Sequence, residues 1–302
     1  MSGRGEAIAY GAVTIVNALA TGKGAAFGID LWTKATVELT HDAKIETNIL
    51  NDKGENTLLV EKCVRAILTR FDTQRLGAIV QTESNIPIAR GLKSSSVAGN
   101  AVTLATLAAL GVRMSPDEVL NVVVDAALRA KVSVTGAFDD ASASLYGNVV
   151  VTDNMTRALL RTYPIEKYCV LLLVPPEKRY TIEVDLTRIK TVASQVETAF
   201  KEALAGHYWD AMARNGLIYS QVLGLPSDVI LESLEAGAQA AGISGKGPAY
   251  AFVVKEELKE SVLTVLRRHE GEIIVSKTRG HPSISTLEKR GFTAIEDCSK
   301  AQ

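Results

Sequence analysis

The chain has 302 residues, 47% of them hydrophobic and 22% charged, with a mean hydropathy of +0.12. This composition excludes a disordered or collagen-like chain and supplies enough apolar residues for one large core or two smaller ones. With 33 Lys plus Arg against 34 Asp plus Glu, the formal charge is -1 and aromatic residues are only 5%. There is therefore no bulk basic field or ring-rich platform for nucleic acid, and no charge attraction to an anionic membrane. The expected ligand is small, and any anion must be gripped locally.

Cys63, Cys169 and Cys298 are odd in number and lack metal-ligand spacing. They read as reduced thiols of a cytoplasmic protein. The N-terminal MSGRGEAIAYGAV has no continuous apolar stretch before a cleavage site. The greasiest segment, Ala101 to Val112, is far below membrane-spanning length, so neither secretion nor membrane insertion is expected.

In chain order, strand patterns near Ala7–Asn17 and Ala35–Leu39 precede an amphipathic helix, Leu58–Phe71, with Leu59, Cys63, Ile67 and Phe71 on one face. A strand follows at Ala78–Thr82. Three serines then lead into an Ala/Leu-rich helix that stops at Gly111. Ser115, Pro116 and Glu118 form a helix start with a capping box. Val132–Thr135 has the residue types of a short strand. A composition change between Asp153 and Glu166 divides the chain into residues 1–160 and 161–302. The second part reads as a buried strand at Tyr168–Val174, helices at Leu186–Ala205 and Tyr208–Val222, and a helix capped by Ser227. A strand at Tyr250–Val254, a helix at Glu257–His269 and a strand at Glu272–Lys277 complete it. Both halves mix helix and strand, an α+β arrangement.

Four segments carry candidate chemistry. In Gly91–Ser96, a glycine and three serines adjoin a strong helix. The free amides and dipole of a helix start form an anion site, the hydroxyls add donors or an oxygen ligand for Mg²⁺, and Lys93 adds a compact charge. The alternative is a simple Ser cap with solvated neighbours. Asp139 and Asp140 are adjacent acids, suited to accepting a hydroxyl proton or binding Mg²⁺, or to capping the Ala/Ser helix that follows. Gly242-Ile-Ser-Gly-Lys-Gly-Pro248 is either a backbone nest for anions or a flexible turn. Ala20-Thr-Gly-Lys-Gly places Lys23 in a second glycine-rich loop. No G-x-x-x-x-G-K-[ST] loop occurs anywhere. His41, His207, His269 and His281 show no paired spacing, and Arg267–His269 suits a solvated helix end.

The order of these motifs resembles the GHMP family of small-molecule kinases: Pro87-x-x-x-Gly91-Leu92-x-Ser-Ser, then Gly136-x-x-Asp139, then Gly-Ile-Ser-Gly-x-Gly-Pro. Within it, ATGKGAAFGIDL, PIARGLKSSSVAGNA and VTGAFDDASASLYGN resemble the archaeal shikimate kinase branch. The resemblance implies two domains, the first like domain 2 of ribosomal protein S5 and the second ferredoxin-like, with the active site between them. It implies ATP and Mg²⁺ as cofactors and transfer of the γ-phosphoryl group to the 3-hydroxyl of shikimate, a step toward chorismate and the aromatic amino acids. The ATP loop would comprise Pro87, Ile88, Ala89, Arg90, Gly91, Leu92, Lys93, Ser94, Ser95, Ser96 and Val97, with Ser95 at the metal and Ser244, Gly245 and Gly247 shaping the phosphate pocket. Asp139 is the preferred base and Asp140 the reserve. Lys93 stands where many relatives have glycine, and Ser96 where they have alanine. The glutamate metal ligand of some relatives has no clear equivalent here, Asp125 being a weak candidate. The carboxylate of the substrate needs a cation, for which Lys23, Lys178, Arg179 and Arg279 are the candidates. Other readings are a homoserine or mevalonate kinase of the same family, or an inactive metabolite-binding relative.

Overall fold

The computed structural model describes residues 3–50, 52, 54–177 and 185–285. Strands β1 (Arg4–Val16) and β2 (Lys23–Thr40) form a long antiparallel hairpin. The outer half of β1 alternates between buried and half-buried positions, whereas its inner half is buried on both faces. That change follows the sequence, in which alternation gives way to the apolar run Gly11–Val16. The second half of β2 pairs with β4 (Gly77–Ser84), which pairs in parallel with the edge strand β3 (Ile45–Ile49). The first half of β2 pairs instead with β5 (Val149–Asp153), followed by β6 (Ala158–Tyr163).

Helices α1 (Leu58–Arg70), α2 (Ser94–Leu110), α3 (Pro116–Arg129) and α4 (Phe138–Tyr146) pack together, with α2 and α4 against β1 and β2. Apolar and small residues surround α2 on all sides, as suits a helix buried all round. Gly5 lets β1 lie directly on it, since a Cβ at this position would stand 2.2 Å from the carbonyl oxygen of Ala105. Gly111, at φ +69°, ends the helix, as expected.

The second sheet, in the order β10–β7–β9–β8, is antiparallel throughout. It comprises β7 (Cys169–Val174), β8 (Ala240–Ile243), β9 (Tyr250–Val254) and β10 (Glu272–Lys277). Its helices are α5 (Leu186–Lys190), α6 (Ala193–Leu204), α7 (Tyr208–Leu223), α8 (Asp228–Glu235) and α9 (Lys259–Leu266). Helix α7 packs on both β8 and β1 and so joins the two halves. Its Gly216 meets the Cα of Gly242, 2.6 Å from where a Cβ would stand. After β10 the chain returns to the first sheet through a bridge between Ile29 and Thr278, and β11 (Ile284–Ser285) pairs with β1.

Several local expectations change. The helix expected over Leu186–Ala205 breaks between α5 and α6, where the Thr191 hydroxyl donates back to the Arg188 carbonyl at 2.7 Å. The one expected over Glu257–His269 is a 3-10 turn, Glu256–Leu258, followed by α9. Val132–Thr135 forms bends rather than a strand. Ser227 occupies the cap position of α8 without a side-chain hydrogen bond. Cys63 and Cys169 are free and buried, and burial pushes the Cys63 thiol up to about 12; Cys298 lies outside the described residues. Among the described residues, no helix is long and apolar enough to cross a membrane.

The capping box of α3 forms as its sequence dictates. The Ser115 hydroxyl accepts from the Glu118 amide, and the Glu118 carboxylate accepts from the Ser115 amide at 2.9 Å. These two groups of Ser115 hold the Glu118 carboxyl below its usual range. Ser115→Ala should cost about 1 kcal/mol of stability, read as a lower urea midpoint at unchanged slope; an unmoved midpoint would exclude a stabilising cap.

Candidate active site

Two helix starts converge on a cleft of about 450 Å³. At the first, Lys93 adopts a left-handed conformation (φ 64°) as the N-cap of α2. Val97 makes the first amide bond within the helix, to the Lys93 carbonyl at 3.1 Å. The amides of Ser94, Ser95 and Ser96 therefore lead the helix, and all three residues line the cleft. The serines occupy the first turn rather than preceding the helix. This turn offers amide donors, hydroxyls and the positive end of a helix dipole to an anion.

The glycine-rich loop after β8 is bound to this turn. The Ser244 hydroxyl donates to the Gly91 carbonyl at 2.9 Å, and the Ala249 amide donates to the Arg90 carbonyl at 3.0 Å. Gly91, at φ +86°, comes so close that a Cβ would stand 2.3 Å from the Ser244 carbonyl oxygen. Asn17, at the end of β1, donates to the Gly245 carbonyl at 2.6 Å, and Thr14 accepts from the Gly245 amide at 2.9 Å. Strand β1, the serine turn and the second half of the chain thus share one rigid seam.

At the second start, Gly136 (φ +78°) and Ala137 (φ 53°) turn the chain into α4, whose first turn carries Asp139 and Asp140. Both carboxylates are buried, with 4% and 7% of each residue exposed, and both residues line the cleft. Their partners differ. Asn154 donates to Asp139 Oδ1 at 2.8 Å, and its own amide oxygen accepts from the Asp139 backbone at 3.2 Å. Asp140 instead meets Lys93 Nζ, at 2.8 Å from Oδ1 and 2.9 Å from Oδ2. Burial and the neighbouring Asp139 charge push the Asp140 carboxyl up to about 7, while Lys93 and Lys246 oppose the rise.

The expected site residues separate into groups. Ile88, Ala89, Gly91, Lys93, Ser94, Ser95, Ser96, Asp139, Asp140 and Gly245 line the cleft together. Leu92 and Val97 are core residues beneath the turn. Ser244 and Gly247 are buried in the seam. Pro87 and Arg90 line a neighbouring cavity of about 690 Å³, where Arg90 donates to the Pro175 carbonyl at 2.8 Å. Lys23 pairs with Glu197 at 3.1 Å, and Arg279 pairs with Asp30 at 3.1 Å and stacks on Tyr10; neither lines the cleft. Asp125 is engaged by Arg157 at 2.6 Å. Lys178 and Arg179 lie outside the described residues.

Asn17, Lys131, Thr135 and Lys246 also line the cleft, and Asn154 braces it from behind. Lys246 could have been found as the charged residue within Gly242–Pro248. Asn17 and Asn154 carry no local signal, because their roles depend on contacts with distant segments.

Gly24 on β2 has an ordinary backbone conformation, yet a Cβ there would stand 2.4 Å from Asp139 Oδ2. Gly24→Ala should therefore cost about 1–3 kcal/mol through overpacking, and most of that loss should disappear when Asp139→Ser is added. Urea denaturation of the single and double variants checks this; equal losses in both backgrounds would exclude the collision.

Residues 58–148 match the family model for the GHMP kinases N terminal domain. The chain is 44% identical to a shikimate kinase of Methanosarcina mazei, over 86% of this chain and 89% of that protein. It is 40% identical to one of Pyrococcus furiosus, over 91% of this chain and all of that protein. Among solved structures, a homoserine kinase of Cytophaga hutchinsonii superposes with a TM-score of 0.74 at 17% identity, covering 94% of this chain and 98% of that one. The mevalonate kinase of Methanococcus jannaschii gives 0.74 at 14% identity, covering 91% and 98%. These two likenesses concern the fold, whereas the sequence identities reach the family: the chain belongs to the GHMP kinases and groups there with the shikimate kinases of archaea.

Proposed function

We propose that the chain transfers the γ-phosphoryl group of ATP to the 3-hydroxyl of shikimate, giving shikimate 3-phosphate and ADP. The carrying observation is the convergence of an anion-binding helix start and a buried carboxylate pair on one cleft, in a chain 37–45% identical to shikimate kinases over most of its length. In this reading the Ser94–Ser96 turn receives the phosphates of ATP, with Lys93 beside them. Gly91 and the 244–247 loop fix the turn, so that little reorganisation is left for the transferring step.

The donors at the turn are hydroxyl oxygens, which suit a hard cation such as Mg²⁺ that keeps several waters and shares phosphate oxygens. Ser95 would hold it. When bound, Mg²⁺ supplies charge neutralisation on the phosphates.

We assign the base to Asp140. Motif position favours Asp139, but Asp139 is committed to Asn154, while Asp140 combines a place in the cleft with proton affinity near neutrality. A base of that strength can take the hydroxyl proton as the phosphoryl group arrives and return it to solvent afterwards. Lys93 balances the carboxylate before transfer and stands at the serine turn that would receive the phosphates. Lys131 and Lys246 supply the other cations of the cleft, while Lys23 and Arg279 are engaged elsewhere.

ADP release measured with shikimate, homoserine and mevalonate should show turnover with shikimate alone, and turnover only with one of the other two would reject this reading. Asp140→Asn should lower kcat about 100-fold or more while leaving the KM for ATP within about threefold, because a positioned base contributes that much to proton transfer. In the unmodified enzyme, kcat/KM for shikimate should fall as pH drops below about 7, where Asp140 takes up a proton. A flat profile from pH 5 to 8 would remove Asp140 from the mechanism.

A further inference from the structure

Two buried carboxylates at the head of α4 set a difficulty for an acidic substrate. Shikimate carries a carboxylate on the ring carbon two places from the hydroxyl that receives phosphate, and like charges in a desolvated cleft repel. Lys93 Nζ lies 2.8 Å from Asp140, so that lysine already balances a charge of the protein. The substrate needs a second cation, about one ring width from Asp140. Lys23 and Arg279 are paired with Glu197 and Asp30 away from the cleft, and Arg90 lines the neighbouring cavity.

Lys131 and Lys246 both line the cleft, on walls of different character. Lys131 stands on the stretch from the end of α3 toward α4, where Ala127, Ala130, Val132 and Val134 also face the cleft. Lys246 belongs to the glycine loop between β8 and β9. A Cβ at Gly245 would stand 3.2 Å from Lys93 Nζ, which places the next residue, Lys246, beside the ion pair of Lys93 with Asp140. Its charge also reaches the Asp140 carboxyl. The backbone that carries it is pinned. The Gly245 amide donates to the Thr14 hydroxyl at 2.9 Å, the Gly245 carbonyl accepts from Asn17 at 2.6 Å, and the Gly247 amide donates to the Ser244 carbonyl at 3.0 Å. A lysine on such a loop brings a compact charge on a flexible stem to a fixed place.

We propose that Lys246 is a specificity-determining residue: it pairs with the carboxylate of shikimate and so sets the ring with its 3-hydroxyl toward Asp140. This rests on the reading of the chain as a shikimate kinase. The nucleotide does not require the charge of the glycine loop, because in that reading its phosphates are met by the amides and hydroxyls of the Ser94–Ser96 turn.

The test compares shikimate with its methyl ester, which keeps the ring and its hydroxyls but not the charge. The unaltered enzyme should show a kcat/KM for shikimate about 10–100-fold above that for the ester, the scale of a hydrogen bond to a charged group. In Lys246→Met that preference should fall to about threefold or less, through a higher KM for shikimate. The KM for ATP and the kcat/KM for the ester should stay within about threefold of the unaltered values. If Lys246→Met does not fold, Lys246→Gln is read in the same way. An unaltered enzyme that does not distinguish acid from ester overturns the inference, as does an unchanged preference in the Lys246 variant. Loss of the preference in Lys131→Met but not in Lys246→Met overturns it too. A raised KM for ATP with the preference intact would put Lys246 on the phosphates instead. Turnover of homoserine or mevalonate but not shikimate rejects the proposed function and this inference with it, whereas turnover of shikimate with an unchanged preference in Lys246→Met overturns the inference alone.

Discussion

The ion pair between Lys93 and Asp140 is the constraint around which the rest of the molecule is arranged. Two carboxylates within one helical turn, both buried, repel each other and lose their hydration. The fold tolerates them because a lysine is brought from another helix start to within 2.8 Å of one, and an asparagine from another strand end to within 2.8 Å of the other. The lysine needs a left-handed backbone at the start of α2, and that turn is held by the Ser244 hydroxyl of the second half of the chain, which donates to the Gly91 carbonyl. The asparagine needs β5 paired with the first half of β2. The cleft therefore draws on both sheets.

Much of this framework follows from sequence through short-range physics. The α3 capping box, the Gly111 stop of α2 and the apolar stripe of α1 each depend on residues within a turn or two of one another, and all form as their spacing dictates. The serine turn is legible for the same reason, since an anion site at a helix start is a local device. The choice between Asp139 and Asp140 is of another kind. Successive residues on a helix point about 100° apart, so a one-residue shift exchanges a braced carboxylate for one facing a lysine. What separates them is Asn154, 15 residues from Asp139, and Lys93, 47 from Asp140, and neither distance can be read from a motif. Lys23 and Arg279 show the reverse: basic residues in suggestive company whose charges are taken up by Glu197 and Asp30.

The near-zero net charge acquires a specific meaning at this cleft. A protein that handles a polyphosphate and a carboxylated alcohol must attract anions, yet its surface carries no excess of cations. The lysines that line the cleft are Lys93, Lys131 and Lys246, beside the amides of one helix start. Local cations of this kind select by geometry, whereas a broad basic field would also draw nucleic acid.

The same concentration of charge has a cost in stability, and its sign can be worked out. Asp140 has its proton affinity raised from an ordinary 3.8 to about 7 in the folded chain. Between those values the folded protein holds a proton that the unfolded chain has released, so this group's contribution declines as pH rises from about 4 toward 7 and is constant above that. A neutral, well-packed side chain in its place would avoid the loss. The decline falls in the pH range in which the Asp140 carboxyl gives up its proton, so its ionisation weakens the fold. Lys93 opposes both the rise in proton affinity and the loss of stability, so a lysine at the start of α2 serves the folded chain in its own right.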